Sequence, residues 1–171
     1  MDLLVTGATM HDVTQTSDSW DDLTVQERAD FKDTFHEAVQ GATVQINTTE
    51  VFAGGMCART GKIPAGVVFV GRAHKQEQIQ VLSEGAIELF GHSRQIIRAP
   101  HVFKGSIGDK RLVRTLEDTV WTTILKTDAT CIEDVVAECT TLTLAELKTQ
   151  VGNDVCGSSS DGSNCNIRRE P

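Results

Sequence analysis

The spacing of apolar residues changes twice along the chain. Between Thr24 and Gln40, Phe31, Phe35 and Ala38 or Val39 recur every three or four positions, which predicts an amphipathic helix. Thr24 and Glu27 have the spacing of a capping box, and Gly41 supplies a stop. From residue 43 the period falls to two. "ATVQINTTEV" places Val44, Ile46 and Val51 at apolar positions, and "AGVVFVGRA" (65–73) is a continuous apolar run that reads as a buried strand. In "QIQVL" and "AIELF", Ile79, Val81 and Leu82 are expected to build the core, and Ile87 and Leu89 share a face. Glu84-Gly85 and "GHSR" (91–94) mark turns. The segments "QIIRAP", "HVFKGSIGDK", "RLVRTLED" and "TVWTTILKT" continue the series. In the last of these, Thr119, Trp121 and Thr123 share one strand face, and Val120, Thr122 and Ile124 the other. Short strands with Gly-rich turns at about 8–12-residue spacing predict an antiparallel barrel or sandwich.

After Lys126 helical patterning returns. "CIEDVVAEC" and "TLAELKTQV" are short amphipathic pieces, the second opening with a capping box of Thr143 and Glu146. The tail that follows is polar and Gly/Ser-rich. The expected organisation is an N-terminal arm and helix (1–42), a β-barrel (43–126), and C-terminal helices with an extended tail (127–171). No repeat or linker splits this into two domains.

Composition narrows the function classes. With 39% hydrophobic residues the chain of 171 can bury a core, and its net charge of -8 with dispersed Lys and Arg argues against nucleic acid as a partner. No apolar run approaches the roughly 20 residues of a membrane span, and "MDLLVTGATM" lacks a signal peptide's basic start and long apolar stretch. Synthesis and folding in a cytoplasm are expected. "LLVTGAT" looks like the start of a dinucleotide-binding fold, but no further glycine, helix and acid-tipped strand follow. No cofactor is expected. The five cysteines, Cys57, Cys131, Cys139, Cys156 and Cys165, form no CxxC pair, so they do not suggest zinc. They read either as free thiols or, for Cys156 and Cys165, as a bridge across "GSSSDGSN" formed outside a cell. Cys131 and Cys139 lie too far apart to face each other on one continuous helix.

The stretch "AHKQEQIQVLSEG" (73–85) and the turn "SIGDKR" (106–111) carry the candidate chemistry. Together they resemble the two motifs of the cupins, small double-stranded β-helix barrels. Their His-x-His, Glu and final His hold a divalent metal at the barrel mouth. The resemblance puts His74 and Gln76 at the first two histidines, Gln78 at the glutamate and Arg111 at the last histidine. Three of four ligands are thus replaced. Glutamine is a weak ligand, and a guanidinium has no lone pair to donate and repels a cation. No metal is expected, and His74, Gln76 and Gln78 read as a polar, metal-free mouth. The spare acids and bases Glu77, Glu84, His92 and His101 form no recognisable catalytic set.

The stretch "GDKRLVRTLEDTVWTTI" (108–124) is similar to small cupin-like proteins of tailed bacteriophages, which combine a His-rich hairpin ending L-S-x-G, a Pro-Gly-Thr-Lys-Arg-like turn, and "LEDTVWTT" before an acidic helix. Ser106, Asp109 and Gln76 depart from that pattern, and "TDATCIEDVVAE" (127–138) matches the acidic helix in character. The likeness covers about 65–138. It implies a mainly β, cupin-like antiparallel barrel or jelly roll with an N-terminal helix and a helical, extended C-terminal region. It also implies a non-enzymatic structural role in a phage virion, as head decoration or as a tail collar or fibre-attachment subunit. Partners would be capsid or tail proteins and further copies of the chain, with no nucleic acid and no membrane. Phe31 and Phe35 read as core packing or as contacts to a partner, and so does Trp121. Two alternatives are a metal-dependent dioxygenase or isomerase, and a barrel that senses an anion through Arg111 and Lys110.

Overall fold

The computed structural model describes residues 19–38, 46–141 and 146–147. A 3-10 turn, Trp20–Asp22, leads into α1, Val25–Ala38. The capping box forms as its spacing predicts: the Glu27 N–H donates to Thr24 Oγ1 (3.2 Å) and the Thr24 N–H to Glu27 Oε2 (2.7 Å). Val39, Gly41, Val44 and Thr143 lie outside the described residues, as do Cys156 and Cys165 with their expected bridge.

The strands are β1 (Asn47–Ala53), β2 (Met56–Ile63), β3 (Val68–Val70), β4 (Ala73–His74), β5 (Gln78–Glu84), β6 (Ala86–Phe90), β7 (Arg94–Arg98), β8 (His101–Gly105), β9 (Leu112–Thr115), β10 (Thr119–Lys126) and β11 (Thr140–Thr141). A second helix, α2 (Ile132–Cys139), precedes β11. All pairings are antiparallel. One sheet runs β1-β2-β10-β5-β8, a second β3-β9-β6-β7, and β11 pairs β4. Neighbours in the sheets are distant in sequence, β10 lying between β2 and β5, so the strands wind as a cupin-like jelly roll. β2 is polar and has no clear alternation. The signal for it is Gly54-Gly55, whose positive φ (58° and 74°) makes the β1–β2 turn.

Two cores result. Between the sheets, Ile63, Phe69, Leu82, Ile87, Leu89 and Val113 pack with the partly buried Phe103 and Trp121. Outside the four-stranded sheet, Trp20 and Phe35 pack on Val68, Val70, Phe90 and Leu112, with Leu23 and Phe31 beside them. The "VVFV" run is apolar throughout because β3 is buried on both faces, one toward each core. Trp20 comes from a stretch without periodicity, yet it is fully buried and donates its indole N–H to the Gly91 carbonyl (3.2 Å). A smaller cluster joins Cys57 and Leu125 to Val135 and Cys139 of α2.

Two expectations about strand faces are overturned. In β5 the buried positions are Gln78, Gln80 and Leu82, whereas Ile79 is 52% exposed. Val81, also expected in the core, lies on the same outer side as Ile79, in register with Thr122 and Val102. Strand parity fixes which residues share a face, but the pairing partner fixes which face is inside. Here β5 turns the side that includes Leu82 toward Trp121 of β10. Gly85 closes the β5–β6 turn at φ 83°, where a Cβ would come within 2.3 Å of the Asp118 carbonyl oxygen.

Candidate functional site

A cavity of about 70 Å³ lies between the sheets. Its apolar wall is Ile46, Ile63, Phe69, Val113 and Trp121. Its polar wall carries Arg59 on β2, Arg72 and His74 around β4, Gln80 on β5, Thr123 on β10, and Asp109 with Arg111 ahead of β9. Gly61 also lines it, which leaves room that any side chain there would take up.

Two of the four residues at the cupin ligand positions reach this space, His74 and Arg111. Gln76 instead donates to the Lys126 carbonyl (2.5 Å) and contacts Cys139 Sγ (3.2 Å), tying the hairpin to α2. Gln78 is buried over Gly105, where a Cβ would sit 2.3 Å from its Nε2. The metal-free mouth of His74, Gln76 and Gln78 is therefore not the arrangement formed. Gln80 is the β5 amide in the cavity: its Oε1 accepts from Trp121 Nε1 (2.6 Å) and Thr123 Oγ1 (2.8 Å). The signal for Gln80 was its two-residue spacing from Leu82, a core residue.

Lys110 is also placed elsewhere. It is buried outside the barrel and pairs with Asp33 of α1, so it is not available to an anion at Arg111. Arg111 pairs with Asp109 and lies 5.2 Å over the Phe103 ring. Phe35 is 5% exposed within the helix–sheet core, Phe31 stacks on it at 6.2 Å, and Trp121 packs on Phe69 and Phe103. These three aromatic side chains serve the chain's own packing. Glu77 pairs with Lys104 on the surface and His101 stacks near Phe103, so the spare acids and bases do not converge.

The electrostatics are cationic. Arg59 lies 3.1 Å from Glu50, close enough to pair as ions although not aligned for a hydrogen bond. Arg72 donates its Nε to Thr140 Oγ1 (2.7 Å). His74 is 6% exposed, and burial together with the neighbouring Arg111 charge lowers its pKa to about 4, so it is neutral at pH 7. Burial also lowers the Arg111 pKa, although a guanidinium stays protonated. A cavity lined by three arginines, with the Arg111 charge beside the imidazole and the Asp109 carboxylate already engaged by Arg111, does not fit a divalent cation. Among the described residues no three His, Cys, Asp or Glu side chains cluster with metal-binding geometry.

No family model and no curated protein matches the sequence. Solved structures do. An acetylacetone dioxygenase from Acinetobacter johnsonii is similar at 16% identity and a TM-score of 0.42, over 47% of this chain and 59% of that one. KdgF from Halomonas sp. is similar at 17% identity and a TM-score of 0.45, over 53% and 84%. A cupin superfamily protein from Desulfitobacterium hafniense is similar at 6% identity and a TM-score of 0.43, over 54% and 87%. The chain thus spans 59% of the length of the first of these. The cupin-like jelly roll is defined by the strand order of the chain itself.

Proposed function

We propose that the protein is a non-enzymatic structural subunit of a tailed-phage virion, made in the host cytoplasm and working through protein–protein contacts. One observation carries the reading: the outer face of the five-stranded sheet has no covering element among the described residues, and its middle is apolar. Val51, Ala58, Ile124 and Ile79 fall in register across β1, β2, β10 and β5. Beside them run Thr49, Thr60, Thr122, Val81 and Val102. Val51 and Val102 are each 63% exposed, Ile79 52% and Met56 50%. The Thr60 and Thr122 hydroxyls bond each other at 2.8 Å, so part of the row's polarity is satisfied within the sheet. A contiguous apolar patch with a polar rim is the surface pattern of a protein interface.

The occupant proposed is a second copy of this chain. No carboxylate sits in the central rows, Lys104 at the β8 end of one row is paired with Glu77, and Lys62 and Lys126 stay at the rim. Symmetric oligomers of this kind suit a repeating particle. The similarity of "LEDTVWTT" to small cupin-like phage proteins supports the virion setting, and the cationic cavity supports a role without metal chemistry. The expected result is that mass spectrometry of purified particles detects this chain in stoichiometric amounts. Its absence from particles would overturn the virion reading. Light scattering should show an oligomer that Ile79→Lys returns to monomer.

A further inference from the structure

We propose that the barrel cavity is a binding site for a small organic carboxylate, held by Arg72, Arg111 and His74 against the Trp121 and Phe69 wall. This goes beyond the structural role and does not depend on it.

The cavity has the two-sided chemistry such a ligand needs. Arg59, Arg72 and Arg111 line one wall, and the planar fork of a guanidinium matches a carboxylate. Two carboxylates, Asp109 and Glu50, contact two of them, which leaves the polar wall with a net positive charge. Arg72 uses its Nε on Thr140, and no ion pair to it occurs among the described residues. His74 also lines the cavity, and it is buried beside Arg111. Being neutral, the imidazole contributes one hydrogen bond without adding charge.

The opposite wall selects the ligand's body. Ile46, Ile63, Phe69, Val113 and Trp121 are apolar, and a fully hydrated phosphate or sulfate has nothing to place against them. A cavity of about 70 Å³ admits a ligand of only a few heavy atoms. Trp121 is held by its indole bond to Gln80 (2.6 Å), so its ring is a fixed surface rather than a mobile lid. Gly61 sits opposite, with Ile46 Cγ2 at 3.4 Å from a hypothetical Cβ, so a small side chain is tolerated and a larger one enters the cavity.

The test is calorimetry and thermal melting of the full chain with acetate, propionate and butyrate, with inorganic phosphate and sulfate at equal ionic strength in parallel. Saturable binding of at least one carboxylate is expected, with a change in Trp121 fluorescence. Arg72→Gln should weaken it by at least about tenfold, the loss expected for one charge-assisted hydrogen bond, and Arg72→Lys should restore part of it. Gly61→Leu should abolish it by occupying the space while leaving the arginines in place. Circular dichroism melts confirm that each variant is folded, and Gly61→Leu provides the test if Arg72→Gln is not. The proposal is overturned if no carboxylate saturates, if phosphate or sulfate binds as tightly as the best carboxylate, or if binding survives Gly61→Leu.

Discussion

The two sheets of the barrel share one interior but differ in what lies outside them. The four-stranded sheet carries α1 and Trp20 on its outer face, where Val68, Val70, Phe90 and Leu112 are each no more than 2% exposed. Beside them Glu88, at 1% exposure, is bridged by Arg94 and Arg114. The five-stranded sheet leaves Val51, Ile79 and Val102 more than half exposed. One face has already been buried by the chain itself. The other has a comparable apolar row whose burial would have to come from another molecule. An exposed apolar residue contributes little to folding, so the second row is explained better by association than by stability.

The largest effect should come from opening the covered face. Trp20→Ala removes an indole that packs edge-on against Phe90 and Phe31 at 5.5 and 5.9 Å. A loss of about 3–5 kcal/mol in denaturant unfolding is expected, and a loss under about 1 kcal/mol would mean that the helix adds little to the sheet.

The seam between the sheets supplies the next effect. The folded pKa of His74 is lowered from 6.5 to about 4, so the unfolded chain takes up a proton first as pH falls. The stability this group supports is full above pH 6.5 and is lost as pH falls toward 4. Its size is up to about 3 kcal/mol. His74→Gln should flatten that part of the stability–pH curve relative to the parent, and an unchanged slope would show that His74 is not held neutral.

The smallest effect on folding should come from the open face. Ile79→Thr is expected to change monomer stability by no more than about 0.5 kcal/mol while weakening self-association measured by sedimentation. A large loss of monomer stability would show that this face is covered within the chain after all.

Local signals gave α1 with its cap, the alternation of β10 and the turns at Gly85 and Gly91, because each depends on neighbours within a few residues. Strand spacing made an antiparallel barrel or sandwich legible, and the cupin-like form came only from the stretches resembling the family. Which glutamine enters the cavity was not legible. Gln78 and Gln80 share the buried face of β5, and only the pairing that sets Thr123 of β10 against Gln80 puts Gln80 rather than Gln78 at the cavity. The role of Lys110 was hidden for a similar reason, since Asp33 lies 77 residues away in sequence.

By itself, then, the sequence determined period, caps and turns, all properties of residues and their near neighbours. Tertiary structure alone decided that Trp20 is core, that Ile79 faces out, and that Arg59, Arg72, His74 and Arg111 line one cavity. Those outcomes depend on pairing between strands and on which sheet α1 covers, and long-range pairing leaves no mark on local spacing.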